Sequence, residues 1–225
     1  MSSEQLFDTW PEKYRQWFQT PIGRFVMECE RRWVMEFLLP QPGERILDAG
    51  CGSGLFTAPI IEAGAGVLGL DVSEPMLRYA CEALSDERFY PVLGSMLQLP
   101  FGDGAFDKTV SITALEFVEE AQQAVDELFR VTRPGGCVVV ATLNRLSPWA
   151  ERRSANARRD ETSVFRHTFF RGPDELRALT HRSGVVKTAV HFPKDAKVSE
   201  ARALEREGEA AACDRGAFAI GRWLK

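Results

Sequence analysis

The sequence predicts an α/β fold in which a mostly parallel sheet is covered by helices on both faces. Short apolar runs alternate with helical patterns over residues 45–143, and this alternation is typical of parallel strands joined by crossover helices. The first run is followed by Gly50, Gly52 and Gly54. Three glycines at alternate positions indicate a tight strand-to-helix loop that brings the backbone close to a ligand.

The elements follow in order along the chain. Apolar residues at helical spacing and the positions of proline and glycine place their ends. The predicted helices are 11–18, 22–39, 55–63, 74–84, 119–130 and 173–183, with a further helix starting at Ser147-Pro148. The predicted strands are 45–49, 67–71, 89–93, 106–112, 137–143, 185–192 and 216–224. Pro59 lies inside one predicted helix, so we expect that helix to start irregularly. Residues 133–136 are predicted as a turn.

Length and composition favour one compact enzyme. The 225 residues suit a single α/β domain over 1–225, and the net charge of −4 gives no support for nucleic-acid binding. Five scattered cysteines without a C-x-x-C pair predict reduced thiols and no structural metal. The first residues lack a leader pattern and no apolar run is long enough for a membrane span, so we expect a soluble, cytoplasmic protein without membrane partners.

The spacing of the glycines separates two classes of cofactor. A dinucleotide loop has the pattern G-x-G-x-x-G, but here Leu55 stands at the last position and the pattern is G-x-G-x-G. Asp48 lies two residues before the first glycine, where it would face an anionic pyrophosphate. A carboxylate at this place suits a cationic amino group better.

Residues 45–146 resemble the class I S-adenosylmethionine-dependent methyltransferases, and most closely the small-molecule branch with the ubiquinone and menaquinone C-methyltransferases. The resemblance implies a doubly wound, seven-stranded Rossmann-like sheet with an antiparallel edge hairpin and N-terminal helices. It implies S-adenosyl-L-methionine as cofactor and S-adenosyl-L-homocysteine as product. It also implies that Asp48 and the glycine loop hold the methionine part, while Asp71, at the end of the next strand, takes both ribose hydroxyls.

The cofactor residues expected from this resemblance lie at the ends of four strands. They are Asp48, Gly50, Cys51, Gly52, Gly54, Asp71, Val72, Met76, Ser95, Met96 and Thr113. Two stretches depart from the family pattern. Ser95-Met96 stands where relatives often have Asp-Ala, so the adenine contact is expected to be a hydroxyl or main-chain one, and Met96 is equally well explained as core. Residues 113–118 lack the histidines that many relatives carry.

No catalytic residue is evident, and methyl transfer to a ready nucleophile needs mainly proximity and alignment. Candidates for contact with substrate are Glu116, His167 and Tyr14. The ordinary alternatives are a helix-start acid, a structural histidine and a packed aromatic residue. Residues 1–43 are expected to form a helical cap whose aromatic residues close over the site. Residues 144–172, with seven arginines against three acids, are expected to form a substrate-side insertion for an acidic or phosphorylated substrate, or else a solvated basic helix.

The sequence therefore predicts a methyltransferase that acts on a small-molecule acceptor. Two alternatives stay open. A nicotinamide-dependent oxidoreductase is disfavoured by Leu55 and by the absence of a Tyr-x-x-x-Lys pair after the fourth strand. A non-catalytic S-adenosylmethionine-binding protein would carry the same loop. The acceptor and the oligomeric state cannot be read from the sequence.

Overall fold

A computed structural model describes residues 16–160 and 163–225. Residues 16–19 are helical, and seven further helices, seven strands and two short 3₁₀ turns at Leu115–Phe117 and Val164–His167 follow in these ranges. The helices are α1 (Pro21–Leu38), α2 (Thr57–Glu62), α3 (Glu74–Leu84), α4 (Ala121–Val131), α5 (Pro148–Ala157), α6 (Pro173–Ala178) and α7 (Val198–Ala210). The strands are β1 (Arg45–Ala49), β2 (Gly66–Asp71), β3 (Phe89–Leu93), β4 (Phe106–Ile112), β5 (Thr132–Leu143), β6 (Gly184–Ala189) and β7 (Phe218–Leu224).

The seven strands form one sheet in the order β3-β2-β1-β4-β5-β7-β6. β1 to β5 pair in parallel, whereas β7 pairs antiparallel with both β5 and β6. The predicted fold class is confirmed, including the antiparallel pair at the edge. The strand order reverses between β1 and β4, and in open α/β sheets a crevice forms at such a switch point, outside the carboxyl ends of the strands.

Helix starts follow from local sequence. Thr20 caps α1 by accepting the Gly23 N–H at 3.1 Å, and Pro21 stands in the first turn, where its missing N–H costs nothing. Ser147 caps α5 in the same way through the Ala150 N–H at 3.1 Å. As expected, α2 starts irregularly, and it begins two residues later than predicted, without a side-chain cap.

The core has two parts, one on each face of the sheet. On one face α1, α2 and α3 cover buried residues of β1 and β5, including Ile46 and Val139. On the other face α4 and α6 cover Leu47 and Val140. Neighbouring strand residues therefore point into opposite parts of the core, as the two-residue period of a strand requires.

Several predicted boundaries are wrong. The predicted helix 173–183 ends at Ala178, and the predicted strand 185–192 is Gly184–Ala189. The turn at 133–136 lies inside β5 as a bulge, where Gly135 has a φ of +77° and the register against β4 shifts. Helix α7 lies where no element was predicted.

No helix within the described ranges is long and apolar enough to cross a membrane.

Candidate functional site

A cavity of about 890 Å³ lies at the carboxyl ends of the central strands. One side is formed by the loops after β1, β2, β3 and β4. The other is formed by α1, by residues before it, and by α5 with the segment that follows it. The cavity therefore combines loops of the sheet with a wall of helices.

The glycine loop after β1 is held against β2. The N–H groups of Gly50 and Cys51 both donate to the Leu70 carbonyl, at 2.7 and 3.1 Å. Gly50, Gly52 and Gly54 have φ values of +79°, +53° and +78°, which side chains other than glycine's rarely allow. The three glycines are therefore required by the path of the loop.

Each glycine has a different neighbourhood. A Cβ at Gly50 would stand 2.4 Å from the Ala114 Cβ, and one at Gly54 would stand 2.9 Å from Leu84 Cδ1. A Cβ at Gly52 would meet no protein atom within 4 Å. Gly50 and Gly52 line the cavity, whereas Gly54 packs beneath it, against α3.

Asp71 ends β2 with its carboxylate turned towards the glycine loop. Its Oδ2 accepts the Gly52 N–H at 2.8 Å and its Oδ1 accepts the Ser73 N–H at 2.9 Å. Burial raises the pKa of Asp71, and these backbone donors oppose the rise. The side chain is half-buried and lines the cavity. An oxygen atom that accepts one backbone N–H still has a lone pair for a ligand hydroxyl.

Asp48 lies behind the loop. It is 2% exposed, accepts the Thr57 hydroxyl at 2.6 Å, and is not among the described residues that line the cavity. Burial raises its pKa to about 7, while the Thr57 hydrogen bond lowers it. Asp48 thus ties the end of β1 to α2, one layer away from the space that a ligand would fill.

Six further residues of the predicted cofactor set line the cavity. They are Cys51, Val72, Met76, Ser95, Met96 and Thr113. The Ser95 hydroxyl accepts the Leu97 N–H at 3.2 Å, and Met96 packs against Gly50 while remaining part of the core. Thr113 has a φ of +49°. Such backbone strain in a residue without glycine's freedom is concentrated at functional sites.

Glu116 stands on the 3₁₀ turn after β4 and is fully buried. Its Oε2 accepts the Thr142 hydroxyl at 3.1 Å, and burial raises its pKa to about 7. Arg171 holds this turn in place through its guanidinium, which donates to the carbonyls of Leu115 and Val118 at 2.8 Å each. Glu116 lines the cavity.

His167 also lines the cavity, but at an exposed position of the 3₁₀ turn that follows α5. Tyr14 and Trp10 lie outside the described residues. Trp17 and Phe18 line the cavity and contact each other edge to face, with ring centroids 4.6 Å apart.

The arginines of segment 144–172 differ in their contacts. Arg145 pairs with Glu175 at 2.9 Å, and Arg171 supports the Glu116 turn. Arg153 lines the cavity, with its guanidinium carbon 5.3 Å from the Trp149 ring and 5.4 Å from the Phe165 ring. The remaining arginines of the segment are exposed: Arg152, Arg158, Arg159 and Arg166.

Sequence reasoning missed much of the helical wall, which includes Glu30, Trp149, Arg153, Val190 and Lys194. Glu30 carried a signal, because it is an acid on the otherwise apolar face of α1, one turn after Val26. No sequence pattern indicated Val190 or Lys194, because both follow a strand whose end was predicted at the wrong residue. Val190 has a φ of +64°.

Comparisons with known proteins agree with this geometry. A family described as "Methyltransferase domain" matches residues 47–140. A malonyl-[acyl-carrier protein] O-methyltransferase of Erwinia pyrifoliae is 39% identical over 116 residues, which are 52% of this chain and 43% of that protein. A demethylmenaquinone methyltransferase of Beutenbergia cavernae is 38% identical over 120 residues, 53% of this chain and 49% of that protein. The matches thus span less than half the length of these curated relatives.

Among solved structures, a SAM-dependent methyltransferase from Thermotoga maritima, described as a possible histamine N-methyltransferase, shares the fold. The TM-score is 0.75 at 23% identity, with 99% of each chain covered. The sheet order, the glycine loop with Asp71 and the sequence matches all indicate a methyltransferase fold. Residues 47–140 belong to the methyltransferase-domain family, and the chain as a whole has the fold of S-adenosylmethionine-dependent methyltransferases.

Proposed function

We propose that the protein transfers a methyl group from S-adenosylmethionine to a small-molecule acceptor bound in the cavity described above. The observation that supports this most directly is the pairing of the Gly50–Gly54 loop with the Asp71 carboxylate on one cavity wall. The loop leaves room for a ligand to approach the backbone, and the carboxylate can accept hydroxyl donors.

The residues present fit the cofactor. A Cβ at Gly52 would enter space free of protein atoms, so the glycine leaves backbone atoms open to a ligand. Asp71 would take the ribose hydroxyls, and the loop from Gly50 to Gly52 would face the methionine part. Val72, Met76, Ser95, Met96 and Thr113 would surround the adenosine, while Asp48 and Gly54 would support the loop from behind.

S-adenosylmethionine supplies, when bound, a methyl group on a cationic sulfur. The protein's part in such a transfer is to align the acceptor and to keep water out. The wall of α1 and α5 serves both tasks, because it places apolar rings, among them Trp17 and Trp149, opposite the glycine loop.

Two alternatives are less well supported. The spacing of the loop and the methyltransferase relatives argue against a nicotinamide oxidoreductase. A non-catalytic binding protein would share the cofactor loop, and turnover separates it from an enzyme.

We also propose that residues 1–225 act as one domain, with 1–43 as cap and 144–172 on the acceptor side. Five free cysteines support a cytoplasmic location.

Calorimetric titration with S-adenosylmethionine, S-adenosylhomocysteine and NAD tests the proposal. We expect the first two to bind and NAD not to bind. Asp71→Ala should abolish binding, because it removes the acceptor for the ribose hydroxyls. Asp126→Ala, which removes an exposed carboxylate on α4, should bind like the wild type.

Binding of NAD instead, or unchanged binding by Asp71→Ala, would contradict the proposed cofactor site. Release of S-adenosylhomocysteine in the presence of acceptor mixtures then distinguishes an enzyme from a binding protein.

A further inference from the structure

Two buried carboxyl groups line the cavity, each with one oxygen that lacks a hydrogen-bond partner. These atoms are Glu30 Oε2 and Glu116 Oε1. Glu30 is 6% exposed and Glu116 is 0% exposed. Leaving a buried polar atom unpaired is unfavourable, and more so for a charged group. Both oxygens are therefore suited to a donor that arrives with a ligand.

The two carboxyls reach the cavity from different elements. Glu30 lies on α1, one helical turn after Val26, which also lines the cavity. Glu116 follows Ala114 by two residues, and the Ala114 Cβ occupies the space into which a Cβ at Gly50 would project. The Phe169 N–H donates to the Glu116 carbonyl at 2.7 Å and fixes this turn. Glu116 is thus held next to the cofactor loop.

Burial outweighs the positive charges around the two carboxyls. It raises the pKa of Glu30 to about 8, the positive charge of Arg153 opposes this rise, and the negative charge of Glu116 adds to it. Burial also raises the pKa of Glu116, and Arg153 and Arg171 oppose the rise. A cation brought by a ligand would act in the same direction as these arginines and favour the charged form of both carboxyls.

Apart from Asp71 and Arg153, the other charged groups on the cavity wall are at exposed positions. The Lys194 ammonium lies over the Trp17 ring at 5.6 Å, and burial lowers the pKa of Lys194, with Arg153 and Arg152 adding to the effect. Glu119, Glu120 and His167 line the cavity at exposed positions. In solvent such charges act weakly on a ligand.

We propose that the acceptor is a small amine whose ammonium group binds between Glu30 and Glu116 and gives one proton to a carboxylate there. The nitrogen would then use its lone pair to bond the methyl carbon, and the sulfur would keep the electrons of the broken bond as S-adenosylhomocysteine leaves. This inference rests on the proposed function and names its substrate class. Hydrogen bonds from an ammonium to carboxylates are short and strong, and the nearby rings of Trp17, Phe18 and Trp149 offer apolar contact for the rest of the molecule. An alcohol of the same shape would bring no positive charge to stabilise the carboxylates, and neither would an acid.

The test uses the full chain saturated with S-adenosylhomocysteine, titrated calorimetrically with benzylamine and with benzyl alcohol. The two probes share a ring and a size but differ in charge. We expect benzylamine to bind at least about tenfold more tightly, since only the amine brings a charge with which the buried carboxylates can pair. The double variant Glu30→Gln/Glu116→Gln should lose this preference.

Glu36→Gln is the matched control, because Glu36 is exposed on the same helix, away from the cavity. It should keep the preference for the amine. The inference is overturned if the wild type shows no preference for benzylamine, or if the double variant retains it. Titration of every variant with S-adenosylhomocysteine comes first: a wild type that fails this step contradicts the proposed function, whereas binding without amine preference contradicts only the present inference.

Discussion

Gly52 and Gly43 share a backbone conformation but differ in surroundings. Their φ values are +53° and +80°, and a Cβ at either position would meet no protein atom within 4 Å. Only Gly52 lines the cavity. Alanine at either site should cost roughly 1–2 kcal/mol of stability, because a Cβ disfavours positive φ. Only Gly52→Ala should also weaken S-adenosylhomocysteine binding, by at least about tenfold.

Urea unfolding and calorimetry measure the two effects separately. If Gly43→Ala weakened the binding as much as Gly52→Ala does, a general loss of loop order, and not the space beside Gly52, would be responsible.

At the scale of residues, the sequence predicted the loop side of the cavity better than its helical wall. Residues 48–54 are consecutive, so their spacing is visible without any knowledge of the fold. Glu30, Arg153 and Lys194 come from separate stretches and meet only through packing of α1 and α5 on the sheet. Asp48 was placed in the cofactor set by resemblance, and its contact with Thr57 gives it a supporting position.

At the scale of elements, α7 holds the sharp turn that follows β6. The buried Glu205 on α7 accepts the N–H of Val190 at 3.0 Å and that of His191 at 2.7 Å. Burial would raise the pKa of Glu205, but the hydrogen bonds from the His191 ring and from both backbone groups lower it. This clasp stabilises Val190 in its left-handed conformation on the cavity wall.

Glu205→Ala should therefore lower the free energy of unfolding by about 2–4 kcal/mol at pH 7, because charged hydrogen bonds in a buried place are lost. The folded-state pKa of Glu205 lies below its unfolded value, so its contribution is present above the unfolded value and is lost as the pH falls through the folded one. The loss on mutation should shrink towards pH 4. Glu207→Ala, at an exposed site of α7, is the control for urea unfolding at both pH values. If Glu205→Ala and Glu207→Ala lowered the free energy of unfolding equally, the hydrogen bonds of Glu205 would not be what stabilises the turn after β6.

Most elements between 45 and 131 were predicted to within two residues, because apolar periodicity is strong where helices cover a sheet. Helix α7 escaped prediction, since its sequence is charged, with only Ala201 and Glu205 buried. Gly208 inside it also argues against a helix, yet a Cβ there would stand 2.3 Å from the His191 ring. Close packing against a distant residue explains this glycine, and such packing cannot be read from local pattern.

At the scale of the whole molecule, buried carboxyls should make stability fall as the pH rises. Burial raises the pKa of Glu30 to about 8 and those of Asp48 and Glu116 to about 7. Between the unfolded values near 4 and these folded values, the native state binds more protons than the unfolded chain. The free energy of unfolding therefore decreases as the pH rises over this range. The decrease ends only when the pH exceeds about 8, the folded-state pKa of Glu30.

Glu30→Gln should reduce this fall, by roughly 3 kcal/mol at the upper limit between pH 6 and pH 9, since each pKa unit corresponds to about 1.4 kcal/mol. Urea unfolding at pH 6, 7, 8 and 9 measures the slope, and Glu36→Gln should behave like the wild type. A wild type whose stability is constant over this range, or a variant with the wild-type slope, would contradict a buried, proton-binding Glu30.

The two sides of the cavity also differ in where they lie along the chain. The glycine loop, Asp71 and Glu116 fall within residues 47–140, the part shared with a whole family, whereas Glu30 and the α5 wall fall outside it. The family match therefore contains the glycine loop but not α1 and α5. Under the proposed function these two helices face the acceptor, so exchanging them between homologues should change the preferred acceptor and leave S-adenosylhomocysteine binding intact.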